Sequence, residues 1–373
     1  MKVTAAVLDE AGIRGPYART QPLRLAELDL AEPGSGELLV RIEAAGLCHS
    51  DLSVINGDRI RPMPMALGHE AAGRVVRSGA GGEEDFTPGD RVVLAFLPAC
   101  RACASCLAGE PWMCGPAAAA NGRGVLLQGE GRLSEHGCAV HHHLGVSAFA
   151  SHAVVDRRSA VKIPDDIPPE IAALFGCAVL TGVGAVLNTA LVRPGESVAV
   201  YGLGGVGLSA VMGAVVAGAG PVVAIDPLEA KRALALELGA AEAVAPEQAS
   251  ERLKALPRGG PDVAVETAGK AAVLAAAYAA VRRGGRVVTV GLPNPAEMLS
   301  IPAVSLVADG KTLMGSYMGS SDPARDILRY IALWREGRLP VERLLSSVSP
   351  LSDINRLMDE LASGAAIRQI VTP

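Results

Sequence analysis

From about residue 195 onward, the chain alternates between short unbroken apolar runs and helical stretches. The runs are Ser197–Tyr201, Val222–Ile225, Val263–Val265 and Val287–Val290, and the helical stretches between them are 205–218, 228–238 and 271–282. Strands that alternate with helices in this way indicate βαβ units and a parallel sheet. Because a parallel sheet is covered on both faces, its strands are apolar throughout rather than at every second residue. The pattern therefore predicts an α/β domain.

The first third of the chain has a different pattern, in which apolar and polar residues alternate. Glu37–Glu43, Gly73–Val76 and Asp90–Leu94 are each bounded by Gly or Pro and predict strands of a β-rich domain. The tail predicts a helix over Pro323–Glu336, a strand near Val348, a helix over Leu351–Ser363 and a final strand over Ile367–Val371. We place the main domain boundary near residue 178, where the pattern changes.

The composition indicates a globular protein and excludes several partners. Of 373 residues, 50% are hydrophobic and 20% charged, which is enough material for two domains. With 34 basic and 39 acidic residues the net charge is −5, so there is no general reason to bind nucleic acid or an anionic membrane. No apolar segment follows the charged N-terminus, and the uncharged stretch Ser197–Ile225 is interrupted by glycines. We therefore expect a cytoplasmic protein without a membrane span.

A glycine-rich segment lies between the first apolar run and the helical stretch after it. It reads Gly202-Leu203-Gly204-Gly205-Val206-Gly207. In this context the glycines allow a tight turn and let the backbone approach a pyrophosphate at the helix N-terminus. Asp226 follows the next run, where a carboxylate binds the adenosine ribose and repels a 2′-phosphate, so NAD is favoured over NADP. The alternative is a turn with only a structural role.

Four of the seven cysteines lie close together. They are Cys100, Cys103, Cys106 and Cys114. In a cytosolic chain such spacing indicates a metal rather than disulfides. Four thiolates suit a structural zinc ion, which needs no open coordination position. An iron–sulfur cluster is the alternative, although cluster-binding runs place Cys-Pro last and this one ends in Cys114-Gly115.

The other three cysteines are dispersed. Cys48 begins the segment Cys48-His49-Ser50-Asp51, Gly68-His69-Glu70 follows it, and Cys177 precedes the α/β region. Two thiolates and one imidazole form the ligand set of an open catalytic zinc. On the residues alone, an alternative stays open: both cysteines are small buried side chains and His69 is an ordinary polar residue. We expect Cys138 to be an inert thiol.

Taken together, the motifs resemble those of the zinc-dependent alcohol dehydrogenases of the medium-chain dehydrogenase/reductase superfamily, the standard example of that ligand set. The resemblance extends nearly from end to end. It is carried by Cys48–Asp51, Gly68–Gly73, the four clustered cysteines, His141–Phe149, Gly176-Cys177, Gly202–Gly207 and Ile367-Arg368. The long stretch between Cys114 and Cys177 resembles the dimeric animal and plant-type branch more than the shorter tetrameric bacterial forms.

The resemblance implies an α/β fold with two domains. An N-terminal β-rich GroES-like catalytic domain would cover 1–178 and 319–373, with a zinc lobe at 98–116, and the C-terminal segment would return to it. A doubly wound Rossmann NAD-binding domain would cover 179–318. The implied cofactors are NAD and two zinc ions per chain. The implied partners are a small alcohol or aldehyde and a second copy in a homodimer, with a homotetramer as the alternative.

The resemblance also implies residue roles. Cys48, His69 and Cys177 would bind the catalytic zinc, with Glu70 able to approach the metal and Asp51 orienting the His69 ring. The four clustered cysteines would bind the structural zinc. Thr181, Val206, Val290 and Leu292 would line the nicotinamide, His49 and Arg368 would face the pyrophosphate, and Asp226 and Lys231 would bind the adenosine ribose.

The implied reaction is reversible oxidation of a primary or secondary alcohol by hydride transfer to NAD, with zinc as a Lewis acid. Ser50 would accept the alcohol proton. Well-known members pass that proton on through a histidine five residues after the first zinc cysteine. This chain has Ser53 there, so the proton path is expected to differ.

The positions that line the substrate pocket in this family also differ. Here they are Arg59, Phe96, Ala119, His143, Leu144, Leu292 and Tyr317. Arg59 and His143 replace side chains that are usually apolar. The favoured interpretation is that both face solvent, and the alternative is a substrate with a polar or anionic far end. We do not expect a third metal at His141–His143, because neighbouring residues of a strand point to opposite faces.

Two other functions are considered as alternatives. An S-(hydroxymethyl)glutathione or formaldehyde dehydrogenase of the same family carries an arginine shortly after the last lobe cysteine, whereas Gly115-Pro116-Ala117 follows here. A non-catalytic regulatory protein that binds NAD and zinc is disfavoured by the intact Cys48, His69 and Cys177.

Overall fold

The structure is a computed structural model that describes residues 1–81 and 85–373. Its strands are β1 Lys2–Leu8, β2 Leu23–Leu30, β3 Glu37–Gly46, β4 Met65–Ala66, β5 Glu70–Ser78, β6 Arg91–Leu94, β7 Leu133–Glu135, β8 Cys138–His142, β9 His152–Asp156, β10 Ala160–Lys162, β11 Val198–Tyr201, β12 Val222–Ile225, β13 Glu242–Val244, β14 Val263–Glu266, β15 Arg286–Thr289, β16 Thr312–Gly315, β17 Leu345–Pro350 and β18 Arg368–Thr372. Its α-helices are α1 Tyr17–Thr20, α2 His49–Ile55, α3 Ala104–Leu107, α4 Gly115–Arg123, α5 Pro169–Leu174, α6 Ala178–Gly184, α7 Gly205–Val216, α8 Glu229–Glu237, α9 Pro246–Lys254, α10 Ala271–Ala280, α11 Ala303–Ala308, α12 Pro323–Arg335 and α13 Ile354–Ser363.

The chain divides into two compact units. The first comprises Met1–Cys177, Asp322–Leu328 and Leu345–Pro373, and the second comprises Ala178–Ser321 and Arg329–Leu344. This division differs from the expected boundaries after residues 178 and 318, because residues 178, 319–321 and 329–344 belong to the second unit. Side-chain pairing just before and within α12 agrees with this division. Asp322 accepts from Arg101 at 2.7 Å in the first unit, whereas Tyr330 accepts from Asn188 at 3.3 Å in the second.

The first unit contains a closed barrel and a mixed sheet. The barrel has the strand order β1-β2-β7-β8-β4, and the sheet runs β10-β6-β5-β3-β18-β17, with β9 also paired to β3. In the antiparallel pair β3–β5, Gly46 lies opposite Glu70, and β18 adds on the other side with Val371 opposite Ala45. The ends of three strands therefore meet at one place, next to Cys48 and His69.

The second unit is a parallel sheet covered by helices. Its six strands have the spatial order β13-β12-β11-β14-β15-β16, and every neighbouring pair is parallel. This is the order of a doubly wound sheet whose two halves start from a central strand. All residues of β11, β12 and β14 are buried, which explains the unbroken apolar runs of the sequence.

The two edge strands of this sheet are among the elements that the sequence pattern did not indicate. β13 and β16 flank the sheet, and most of their residues are only partly buried or exposed. An edge strand lacks a neighbour on one side, so it does not need an unbroken apolar run. Among the described residues, none of the helices has the length and apolar character required to cross a membrane.

Candidate metal centres and nucleotide-binding loop

Cys48 lies where strand β3 ends and helix α2 begins. Its backbone N–H donates to Oδ2 of Asp51 at 3.0 Å, so the Asp51 side chain caps the start of the helix. Only two residues separate Cys48 from Asp51, so the thiol and the carboxylate both lie at the first turn of the helix. Both are buried, with 7% of Cys48 and 0% of Asp51 exposed.

His69 reaches this helix end through strand pairing, since it immediately precedes Glu70 opposite Gly46. The Nδ1 atom of His69 is 3.0 Å from Oδ1 of Asp51. A carboxylate in this position holds the ring and leaves Nε2 as the ligand atom. Gly68 has φ +94°, and a Cβ there would lie 2.4 Å from the backbone nitrogen of Phe149. The backbone before His69 is therefore closely packed.

Cys177 completes the first group of metal-binding side chains. The ligand atoms of Cys48, His69 and Cys177 all lie within 4.8 Å of one another, and all three residues are buried. Two thiols, one imidazole and a carboxylate behind that imidazole fit a zinc ion with one open position. The structure thus brings together three residues that are widely separated in the sequence.

The electrostatics of this group favour a deprotonated sulfur. The hydrogen bond from Cys177 holds the pKa of Cys48 well below its usual value, against the effect of burial, and Arg368 and His69 add to it. The thiolate is the form of cysteine that binds metals.

Two further charged side chains are buried beside this group. Glu70 is 0% exposed, both of its carboxylate oxygens lack a hydrogen bond among the described residues, and burial raises its pKa to about 7 although Arg368 opposes this. Arg368 Nη1 lies 3.4 Å from Oε2 of Glu70 and donates to the carbonyl of Leu47 at 3.0 Å. The assignment of Arg368 to a pyrophosphate stays a prediction.

The two serine hydroxyls of α2 have different surroundings. Ser50 Oγ lies 3.7 Å from Sγ of Cys48, beside the metal-binding group. Ser53 Oγ donates to the backbone carbonyl of His49 at 2.8 Å, one turn earlier in the helix. The Ser53 hydroxyl is therefore engaged locally, and His49 itself is exposed.

Two of the predicted pocket residues lie against the ring of His69. The ring centroids of Phe96 and His143 are 5.7 and 5.2 Å from that of His69, and both rings are edge-on to it. His143 is 1% exposed, with Nδ1 3.1 Å from Oδ1 of Asp51, so the interpretation that it faces solvent is wrong. The N–H edge of an imidazole stabilises a buried carboxylate, and this explains why the His143 ring lies beside Asp51. No pattern in the sequence indicated this contact.

The other predicted pocket residues vary in exposure. Arg59 is half-buried and Leu144 is buried, whereas Ala119 is exposed. Leu292 and Tyr317 belong to the second unit and are 60% and 37% exposed. The role of these positions at a substrate stays a prediction.

The lobe cysteines form a second compact group. The sulfur atoms of Cys100, Cys103, Cys106 and Cys114 all lie within 4.8 Å of one another. The backbone N–H groups of Cys100 and Cys103 donate to the sulfurs of Cys114 and Cys100, each at 3.3 Å. Such donors, led by the N–H of Ala102, lower the pKa of Cys100 to about 6. Four thiols in one group fit a closed structural zinc ion.

The glycine-rich segment forms the turn between β11 and α7. Gly202 has φ +87°, and a Cβ on Gly207 would lie 1.8 Å from the carbonyl oxygen of Gly202. Gly204 precedes the first residue of α7, and nothing lies within 4 Å of where its Cβ would be. Strand and helix therefore pack tightly while the loop stays open at the helix N-terminus, as a pyrophosphate requires.

Asp226 lies beside this loop at the carboxyl end of β12. Its Oδ2 accepts from the N–H of Leu203 at 2.8 Å, and its Oδ1 accepts from the N–H of Leu228 at 2.9 Å. These bonds hold the carboxylate next to the glycines, and the residue is 6% exposed. Lys231 follows in α8 and is half-buried.

The predicted nicotinamide residues are distributed around the same sheet. Thr181 is buried on α6, next to Gly182, whose backbone packs against the carbonyl of Val206. Val290 and Leu292 follow the carboxyl end of β15. Ligands of doubly wound sheets bind outside the carboxyl ends of the strands, so these positions suit a dinucleotide.

Two segments of the chain match described protein families. Residues 34–165 match the alcohol dehydrogenase GroES-like domain, and residues 205–333 match the zinc-binding dehydrogenase family. Over 100% of both chains, the protein is 38% identical to a Mycobacterium tuberculosis protein provisionally named alcohol dehydrogenase D. It is also 34% identical, again over 100% of both chains, to an S-(hydroxymethyl)glutathione dehydrogenase of Synechocystis.

Solved structures show the same relationship. An alcohol dehydrogenase zinc-binding domain protein from Burkholderia ambifaria is 35% identical, with a TM-score of 0.93 over 100% of this chain and 99% of that one. Benzyl alcohol dehydrogenase from Acinetobacter calcoaceticus is 29% identical, with a TM-score of 0.92 over the same shares. The 38% identity over the whole length of a relative and the matches to both domain families show that the chain belongs to the zinc-dependent alcohol dehydrogenases of the medium-chain dehydrogenase/reductase superfamily.

Proposed function

We propose that the protein oxidises a primary or secondary alcohol reversibly to the aldehyde or ketone with NAD. The observation that carries this proposal is the buried group of Cys48, His69 and Cys177 with Asp51 behind the imidazole. Zinc bound there supplies a Lewis acid that makes the alcohol proton easier to lose. The loop at Gly202–Gly207 supports a dinucleotide as the hydride acceptor.

The side chains around the zinc ligands have roles that their positions support. Ser50, beside Cys48, accepts a hydrogen bond from the alcohol and relays the proton onward to water, because a hydroxyl can pass a proton but not hold a second one. Asp51 keeps the proton of His69 on Nδ1, so that Nε2 faces the metal. Glu70 supplies a buried carboxylate whose oxygens have no hydrogen bond among the described residues. The lobe holds a second zinc ion, which stabilises the fold rather than reacting.

The preference for NAD rests on Asp226. Its carboxylate lies beside the glycine loop and is 6% exposed. A 2′-phosphate placed there would bring like charges together in a partly desolvated site, which is unfavourable. We expect kcat/KM to be much larger with NAD than with NADP, and Asp226→Gly to shift the ratio towards NADP. A wild-type ratio near one would contradict this placement.

The surroundings of His69 support an alcohol with an apolar or aromatic group. The Phe96 ring lies edge-on to His69 at 5.7 Å, and the structural neighbour that is named a benzyl alcohol dehydrogenase supports the same class. S-(hydroxymethyl)glutathione is the second candidate, because one full-length relative carries that name. The helix α4 that follows Cys114 begins Gly115-Pro116-Ala117 and offers no arginine in its first turns for the glutathione carboxylates.

A substrate panel tests the function. Aliphatic, benzylic and hydroxy-acid alcohols, together with S-(hydroxymethyl)glutathione, are each assayed with NAD by the absorbance of NADH. We expect turnover of an aliphatic or benzylic alcohol that Cys48→Ala abolishes. Turnover of S-(hydroxymethyl)glutathione alone would establish the second candidate, and no turnover of any alcohol would refute both.

We also propose a homodimer. Strand β16 is an edge of the parallel sheet, and nearby α11 exposes Val304 and Val307, at 72% and 87%. An unpaired strand edge next to exposed apolar side chains favours pairing with another chain. Light scattering should give twice the chain mass of 38.1 kDa. A mass four times that of the chain would support the tetramer instead.

A further inference from the structure

His143 is a buried imidazole that the proposed reaction does not use. It follows strand β8, and its backbone N–H donates to Ser147 Oγ at 2.9 Å, which in turn donates to the carbonyl of Ala66 at 2.8 Å. Leu144 and Ser147 both have positive φ, so the turn is tight as well as bonded. The backbone therefore sets the place of the His143 ring, which is 1% exposed.

The ring of His143 faces the carboxylate of Asp51. Oδ2 of Asp51 accepts from the N–H of Cys48 at 3.0 Å, while Oδ1 is 3.0 Å from Nδ1 of His69 and 3.1 Å from Nδ1 of His143. A ring nitrogen this close to a carboxylate oxygen must carry its hydrogen, because two lone pairs would repel each other. Nδ1 of His143 lies off the hydrogen-bond axis, since it has no hydrogen bond among the described residues. The contact is therefore mainly electrostatic.

The same three side chains could also be considered as a metal site, since their ligand atoms lie within 4.8 Å of one another. The short distances from the two imidazole nitrogens to the Asp51 carboxylate oxygen argue against a metal between them. Nδ1 of His69 already donates to Asp51 at 3.0 Å, so a metal would have to displace that proton and break the bond. The arrangement favours a carboxylate held between two N–H edges.

We propose that His143 is a positioning residue that acts through Asp51 on the metal ligand His69. The inference rests on the proposed zinc at Cys48, His69 and Cys177. With N–H groups of Cys48, His69 and His143 around it, the buried carboxylate keeps one orientation, and that orientation keeps the His69 ring aligned. Without His143, the carboxylate has fewer partners and more freedom to turn, and the ligand loses support.

The test compares metal release from wild type, His143→Phe and His143→Asn. Phe keeps a buried ring but has no N–H, whereas Asn keeps an N–H donor near the position of Nδ1. Cobalt gives a thiolate–cobalt absorption band at both cysteine groups, so the part of the band that Cys48→Ala lacks is assigned to the Cys48 group. The decay of that part with excess chelator gives the release rate. We expect release about tenfold faster in His143→Phe and within about twofold of wild type in His143→Asn.

Two controls separate positioning from stability. His142→Phe removes a neighbouring buried imidazole whose Nε2 instead accepts from the N–H of Arg132 at 2.9 Å, so it should lower Tm without changing the release rate. In the Asp51→Asn background, His143→Phe should have no further effect on release, because the residue it acts through has changed.

The outcomes distinguish the inference from the proposed function. Wild type whose thiolate–cobalt band is no larger than that of Cys48→Ala would refute the zinc site at Cys48 and the inference with it. A normal band with equal release rates in wild type and His143→Phe would refute the inference alone. Equally fast release in the Phe, Asn and His142 variants would show a general loss of packing and would also refute it.

Discussion

Ser50 and Ser53 lie one turn apart on helix α2, but only Ser50 is beside the metal-binding group. Its Oγ is 3.7 Å from Sγ of Cys48, whereas the Ser53 hydroxyl is bonded to the carbonyl of His49. We expect Ser50→Ala to lower kcat by about 10²–10⁴, because a positioned proton acceptor is lost. Ser50→Thr, which keeps the hydroxyl, and Ser53→Ala should both stay close to wild type. A change below twofold in Ser50→Ala would contradict this role.

We expect the buried imidazole of His142 to make the stability of the first unit depend on pH. Burial, with Arg132 and His141 adding to it, lowers its pKa to about 4, while in the unfolded chain the value returns to ~6.5. Between these values the unfolded chain binds a proton that the folded chain does not. Above pH ~6.5 both states are unprotonated and the folded chain has its full stability. As the pH falls from ~6.5 to about 4, protonation of the unfolded chain lowers the free energy of unfolding.

We expect this residue to account for about 2 kcal/mol of the unfolding free energy that wild type loses between about pH 7 and pH 5. Urea unfolding with excess zinc at both pH values measures it. His142→Phe should reduce the loss by that amount, and a substitution of the exposed His136 should not. An equal loss in wild type and His142→Phe would contradict the assignment.

The turn between β11 and α7 shows what a single element requires of its residues. A Cβ on Gly207 would lie 1.8 Å from the carbonyl oxygen of Gly202, whereas the space around Gly204 is open. Gly207→Ala should separate helix and strand, lowering stability by about 1–3 kcal/mol or more and weakening NAD binding. Gly204→Ala should keep the wild-type Tm but weaken NAD binding about tenfold, since the cofactor approaches there. Equal effects of the two on Tm would contradict this division.

Central strands were predictable from the sequence and edge strands were not. The run Val222–Ile225 was predicted with the bounds that β12 has, because burial on both faces requires an unbroken apolar run. β13 and β16 were not predicted because each is only partly buried, so neither has the unbroken apolar run of a central strand. In the barrel of the first unit, a strand such as Met65–Ala66 carries too few residues to show a period. Shortness does not explain β1 and β2, which have seven and eight residues and were not predicted although β2 alternates in burial along most of its length.

For the whole molecule, two separate groups of thiols predict two zinc ions per chain. Elemental analysis should find two in wild type and one in each of Cys48→Ala and Cys103→Ala. Cys103→Ala should lower Tm more than it lowers kcat, because structural zinc contributes directly to folding, and Cys48→Ala should do the reverse. The exposed thiol of Cys138 is the control, and its substitution by Ala should change neither. One zinc per fully active wild-type chain would remove one of the two sites.

The sequence alone determined the parts of this protein whose geometry is local. The glycine turn, the lobe of four cysteines and the central parallel strands each depend on residues within a few positions of one another. Tertiary structure decided which distant parts meet. The pairing of Gly46 with Glu70 brings His69 to Cys48, and β18 adds Arg368 beside them.

The position of His143 shows the same difference most clearly. The sequence alone favours a His143 that faces solvent, yet its Nδ1 lies 3.1 Å from Oδ1 of the buried Asp51. A buried charge is stabilised by whichever N–H groups the fold places around it, and strand register and tight turns decide which groups those are. Sequence spacing carries no information about that choice, because the partners belong to different elements.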